Sequence, residues 1–163
     1  MSETRWLSPE ERRAWLAVMA VTTRLPAQLD TAMQALAKIT LFDYHVLAML
    51  SEAQTDTLPM SRLAERTNSS LSRLSHVVKK LGERGWVQRS HDPQDARVTV
   101  VKLTPEGRTL IESIAPAHLE DVRAIFFDWL DERDVADLAR VGRKIVAASD
   151  PEDWILQDEQ PQA

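Results

Sequence analysis

Residues 61–87 read SRLAERTNSSLSRLSHVVKKLGERGWV, and the spacing of their apolar members carries most of the architecture. Leu74, Val77, Val78 and Leu81 stand at i, i+3, i+4 and i+7, the buried stripe of an amphipathic helix. Ser69 or Ser70 can cap that helix, and Gly85 can end it. Thr67-Asn68-Ser69 predicts a tight break, since Asn tolerates the left-handed conformation better than most residues. Before the break, a short helix over about 61–66 turns Leu63 and Ala64 inward. After Gly85 the period changes to that of strands. Residues 86–89 and 98–103 are short and rich in β-branched side chains, and the turn-forming run His91-Asp92-Pro93-Gln94-Asp95-Ala96 separates them. That pattern predicts a β-hairpin.

Two short helices, a turn, a longer helix and a hairpin compose a winged helix-turn-helix. The flanks are helical. Ser8-Pro9-Glu10-Glu11 is a helix start with a cap, a proline at the first helical position and an acid reaching back. The helix is expected to run to about Leu36 on Trp15, Val18, Met19, Thr22, Leu25 and Leu29, bending at Pro26. Thr40 with Asp43 starts a second helix carrying Tyr44, Leu47, Ala48 and Leu50, and Pro59 ends the loop beyond it. Thr104-Pro105 restarts the chain as a helix to about Leu130, striped by Ile111, Ile114, Val122, Ile125, Phe126 and Trp129 and kinked at Pro116. Asp131 caps a last helix lined by Val135, Leu138, Ile145 and Val146. From Pro151 the tail is acidic and polar, interrupted by Trp154-Ile155-Leu156.

The net charge of −5 over 163 residues hides an uneven distribution. Residues 58–104 hold nine Lys/Arg against four acids, a balance of +5, which leaves −10 on the flanks. A basic middle between acidic arms suits a nucleic-acid reader. Stepping 100° per residue, Ser72, His76 and Lys79 point away from the buried stripe, with Ser75 on one flank and Arg73 and Lys80 on the other. Ordinary surface helices mix Glu and Lys. Here small hydroxyls at the amino-terminal half, starting from Ser70, allow close approach to a groove. Arg73 suits guanine O6 and N7, Ser72, Ser75 and His76 suit other base edges, and Lys79 and Lys80 suit phosphates. At the wing tip Arg97 can enter a minor groove, with Asp95 orienting its guanidinium.

These residues resemble the MarR family of bacterial regulators. The resemblance rests on Asp95-x-Arg97 followed by Leu103-Thr104-Pro105-Glu106-Gly107, on Leu63-Ala64-Glu65-Arg66, on residues 81–87 and on Thr40-Leu41-Phe42-Asp43-Tyr44. It extends over roughly residues 8–148. It implies a mainly α fold with a small β-hairpin wing, a winged helix-turn-helix at 40–103 and dimerisation helices at 1–37 and 104–149, with 150–163 as a tail. It further implies a homodimer that reads a near-palindromic operator in double-stranded DNA, by default as a repressor. Trp6, Leu7, Trp15, Phe126, Phe127, Trp129 and Leu138 supply more large apolar groups than a small monomer needs. Many relatives release DNA on binding a small phenolic or anionic effector between the dimer helices and the winged domain. Trp15, Met19, Tyr44, His45 and His118 are the candidate pocket residues here. Two positions depart from the family pattern: Asn68 where glycine is frequent, and Lys79 where an acid is common.

Other classes find less support. Without cysteine there is no thiol redox sensing, zinc–thiolate cluster or disulfide. The four histidines (His45, His76, His91, His118) lack metal-ligand spacing, and no nucleophile elbow or phosphate loop is present. Neither a cofactor, nor a metal, nor enzymatic activity is expected. No apolar run reaches membrane-helix length and no secretory signal is visible, so a cytoplasmic protein without membrane contact is expected. The main alternative is a winged helix used for protein contacts without DNA, which has no need of a cationic outer face; a metal-responsive regulator has only loose His and acid residues behind it.

Overall fold

The computed structural model describes residues 4–157, so Ser2, Glu3 and the end of the tail lie outside it. Helix α1 (Pro9–Ala37) begins at the expected capping box: Ser8 Oγ accepts from the Glu11 amide at 3.1 Å and the Ser8 amide donates to Glu11 Oε2 at 2.7 Å. It continues as one helix through Pro26 and stops where Lys38 turns left-handed. Helix α2 (Leu41–Ser51) starts from the Thr40–Asp43 box, and Asp30 of α1 accepts from the Leu41 amide at 2.7 Å, fixing the corner between the two helices.

Strand β1 (Thr57–Pro59) comes next, followed by α3 (Met60–Arg66), α4 (Leu71–Glu83), β2 (Val87–His91) and β3 (Thr99–Leu103). The sheet is antiparallel in the order β1-β3-β2, with Pro59 opposite Val100 and Arg89 opposite Val101. The expected hairpin is therefore the larger part of a three-stranded sheet, and Pro59, read as the end of a loop, belongs to its edge strand. An edge is where proline is tolerated, because its missing N–H breaks no ladder.

Helix α5 (Pro105–Ile125) runs through Pro116 and ends earlier than the expected Leu130. Phe126 leaves helical geometry at φ −129°, and a single 3₁₀ turn, Phe127–Trp129, follows. The Trp129 indole donates to the Ala124 carbonyl at 3.0 Å, answering an end carbonyl that α5 leaves open. Asp131 caps α6 (Glu132–Ser149) in a box with Asp134. The apolar interruption of the acidic tail forms a further short helix, α7 (Trp154–Gln157).

One core joins α2, α3, α4, the sheet and α5 through Val46, Leu47, Leu50, Leu63, Leu74, Leu81, Val101 and Ile111. A smaller cluster of Met33, Ile39 and Ile114 seats the end of α1 on α5. The amino-terminal half of α1 and all of α6 contribute no buried residue. Gly107 lets α5 approach the end of α4 closely: a Cβ there would lie 2.1 Å from the Trp86 carbonyl oxygen and 2.8 Å from Leu103 Cδ1. That carbonyl is pinned by the Thr104 amide at 3.0 Å and cannot swing aside cheaply. Gly107→Ala is expected to cost about 3 kcal/mol of unfolding free energy; urea titration showing a change within about 0.5 kcal/mol would refute the close approach.

Candidate nucleic-acid interface

Helix α4 is launched by a short turn closed by the hydroxyls of Thr67, Ser69 and Ser70. The Thr67 hydroxyl donates to the Leu63 carbonyl at 2.7 Å and sits 3.0 Å from the Ser69 hydroxyl. Asn68 is left-handed at φ 45°. Ser70 is the cap, accepting from the Arg73 amide at 3.2 Å. With Leu74, Val78 and Leu81 buried, Ser72, His76 and Lys79 are exposed and Ser75 is half-buried at the margin, as the helical period requires. The amino-terminal half of this face carries no acid; Glu83, one turn beyond Lys79, is 3.9 Å from its ammonium.

The wing stands beside this face across an open cleft lined by Ser61, Ser72, Ser75, Arg89, Arg97 and Thr99. Arg97 projects from the tip with a side chain 90% exposed and holds Asp95 in a two-pronged fork, Nε to Oδ1 and a terminal nitrogen to Oδ2, both at 3.0 Å. These bonds, with the Arg97 amide on the same carboxylate, hold Asp95 below the usual carboxylate range. The fork limits the guanidinium's rotation while leaving its outer edge open.

Lys80 sits differently from the sequence reading, Arg73 gains a contact there, and Arg89 was absent from it. Lys80, expected on phosphate, turns inward: its ammonium lies 2.6 and 2.7 Å from the two oxygens of Asp43, a carboxylate in a residue only 1% exposed. A buried anion demands a partner, and that demand removes Lys80 from the reading set. Arg73 is exposed, but its guanidinium lies over the Phe42 ring at 4.1 Å, on the side of α4 that faces α2. Arg89 was missed. It is exposed on β2 and borders both the wing cleft and a second hollow with Ser75, His76 and Lys79. The available signal was strand alternation, which puts Arg89 on the same face as buried Val87, two residues further out.

The five candidate pocket residues do not converge within one chain. Tyr44 and His118 meet, ring centroids 4.3 Å apart. His45, the next residue on α2, is rotated by about 100° and instead lines a cleft with Thr23, Pro26, Asp30, Phe42 and Arg73. Trp15 and Met19 lie exposed on the first half of α1. Burial raises the Tyr44 hydroxyl, helped by Glu52, and lowers both His45 and His118, the latter opposed by Asp121. Among the described residues no group of three or more His, Asp or Glu is placed to hold a metal, and no helix is long and apolar enough to cross a membrane.

Comparison with known proteins covers the stretch that carries this face. The MarR family profile matches residues 39–99. The crystal structure of Sco3205, a MarR family transcriptional regulator from Streptomyces coelicolor in complex with DNA, superposes with a TM-score of 0.87 at 33% identity, covering 93% of this chain and 95% of that one. AbsC, a MarR family regulator from the same organism, gives 0.86 at 33% identity, covering 91% of this chain and all (100%) of that one. The HTH-type transcriptional repressor YetL of Bacillus subtilis is 28% identical over 89 residues, 55% of this chain and 53% of YetL, so the match spans about half of that relative.

Two outcomes follow from the paired and buried groups. Lys80→Met strands Asp43 and is expected to cost about 1–3 kcal/mol, below the full penalty of a broken buried pair because the ammonium is partly exposed. Lys79→Met should stay within about 0.5 kcal/mol; equal losses in chemical denaturation would contradict the inward assignment of Lys80. For the imidazoles, the unfolded chain takes up protons near the ordinary value while folded His45 and His118 resist until lower pH. Stability therefore falls as pH drops through about 6.5. Melting temperatures from pH 7.5 to 5 should fall less steeply in His45→Gln/His118→Gln, and parallel curves would show that neither imidazole contributes.

Proposed function

This chain belongs to the MarR family of transcriptional regulators, and from that premise we propose that it acts as a homodimer reading a near-palindromic operator, as a repressor in the cytoplasm. The observation that carries the proposal is the pairing of one acid-free, hydroxyl-rich helix half with an arginine-tipped wing across a shared open cleft. A helix of this kind fits a major groove, with Ser72, Ser75 and His76 toward base edges and Lys79 toward phosphate. Arg97 then reaches the adjacent minor groove, and Arg89, between them, suits the intervening backbone. That Sco3205 was crystallised with DNA, and that YetL is a repressor, supports the reading.

The twofold pairing is argued from uncovered apolar surface. Helix α6 presents Val135, Leu138, Val141 and Ile145 without burying any of them, and Trp6, Trp15, Leu16 and Trp129 are likewise open, Trp6 at 84% and Trp129 at 80% exposure. Patches of this kind mark interfaces, and closed twofold pairs are the commonest way to cover them. They fall within residues 1–37 and 104–149, which form the dimer base in this proposal, leaving 40–103 as the reader.

For release, we propose a small anionic aromatic effector in the cleft where α1, α2 and α4 meet. Phe42 offers a ring face, and His45 and Arg73 offer polar and cationic groups. Arg73 is also a candidate base contact, so an effector that recruits it competes with the operator; a ligand shifts an equilibrium only through such differential contact.

Mobility-shift titration on the gene's own upstream region tests the assignment. Arg97→Ala and Arg73→Ala should each weaken binding roughly tenfold while sedimentation still reports a dimer, and affinity should fall steeply with salt through counterion release. Wild-type affinity in both variants, or a monomer, would discard the proposal. A winged helix serving protein contacts alone would show no specific shift at any salt concentration.

A further inference from the structure

Among the described residues, helix α7 connects α6 to a part of the chain that α6 otherwise reaches chiefly through α5 and the turn at Phe127–Trp129. Within the described residues, α6 packs substantially only against α7. The grip is specific: Arg143 of α6 donates from its two terminal nitrogens to successive carbonyls, Ile155 at 3.0 Å and Leu156 at 2.9 Å. These are carbonyls that a four-residue helix cannot satisfy internally. The other side of α7 belongs to the reader. Trp154 is half-buried against the winged core, Arg66 of α3 lies over its ring at 5.7 Å, and a small hollow between them is rimmed by Arg62, Glu65 and Gln157. Asp153 accepts from the Ile155 amide at 2.9 Å and Gln157 donates to the Glu152 carbonyl at 3.1 Å, so the segment is braced at both ends.

We infer that α7 is a clip, with Arg143 and Trp154 as positioning residues that hold α6 at a fixed separation from α3. The physical need is plain. With no buried residue of its own in the chain, α6 can pivot about the turn at Phe127–Trp129, and a pivot of the base displaces each reading helix relative to its twofold mate. Two reading heads gain avidity only when their separation matches the two half-sites. The role in DNA reading rests on the proposed dimeric function; the mechanical link between α6 and α3 does not.

The chain has no cysteine, so cysteines introduced at Gln88 and Ala148 accept a pair of spin labels without competition. Diluting labelled chain into excess unlabelled chain restricts the measured distance to one subunit. The unsubstituted protein should give one narrow distribution. Trp154→Ala and Arg143→Ala should broaden it, Trp154→Phe should keep it narrow, and operator affinity should drop about tenfold in the broadened variants with the dimer intact. If Trp154→Ala does not fold, Arg143→Met, which leaves the Trp154 seat in place and has no side-chain donor for either carbonyl, carries the same test. An unchanged width overturns the clip; a broadened width with unaltered affinity overturns its part in DNA reading. The width is read without DNA, so it judges the clip even if the proposed function fails.

Discussion

A carboxylate removed from water must be answered by hydrogen bonds or opposite charge, and Asp43 is answered by both. It closes the capping box of α2 with Thr40 and receives the ammonium of Lys80 from α4. The corner that Thr40 and Asp43 build is also tied to α1, through Asp30 and the Leu41 amide. One buried anion thus couples the start of α2 to the roll of α4 about its own axis. Apolar burial of Leu74, Val78 and Leu81 alone is nondirectional; the Lys80–Asp43 pair adds a directional restraint that helps determine which side of α4 meets solvent.

That restraint sorts the basic residues of the central segment into two groups. Lys80 serves the fold, and Arg84 helps it, donating to the Lys38 carbonyl at 3.4 Å. Lys79, Arg89 and Arg97 remain outward on one side of the reader. Arg73 stands between the groups, exposed yet stacked on Phe42. A stacked guanidinium keeps its edge donors free, because the ring engages only its face. Under the proposed function the same side chain can face a duplex or an occupant of the α1–α2 cleft, which would connect the pocket to the reading surface. The overall acidity of the chain does not oppose it, since screening confines each field to roughly 10 Å at moderate salt.

The features legible in the sequence were those governed by local rules. Capping boxes at Ser8, Thr40 and Asp131 need only residues three apart, and each begins a helix as expected. The buried stripe of α4 and the Asp95–Arg97 fork likewise depend on neighbours in the chain. What escaped depends on distant partners. Strand β1 is three residues long, too short to display alternation, and exists because β3 offers it a ladder. Helical angles placed Lys80 on a solvent flank; its inward turn follows from Asp43, 37 positions earlier. The end of α5 moved because an indole five residues on could take its Ala124 carbonyl. Tyr44 and His45 were assigned to one pocket, yet the helical step of about 100° turns them toward different surroundings. The apolar run at Trp154 was visible, but its seat was not, because Trp154 packs on the winged core and under Arg66 of α3, far away in the chain.

The chain is unequally finished. Its reader has a closed core, satisfied turns and a pinned sheet, and is complete within one subunit. Its base has long, well-capped helices with apolar sides open to water, a state that capping alone cannot make favourable because most helix stability comes from packing. Such helices hold a defined relation to the reader only where something spans the gap. At one end α1 does so, with Met33 and Ile39 anchored on α5. At the other end the span is α7, and it works through groups that tolerate little displacement: two carbonyl bonds and one aromatic seat. With α1 and α5 packed on the reader's core, α6 is the part of the base whose tie to the reader is narrow, through the turn at Phe127–Trp129 and α7.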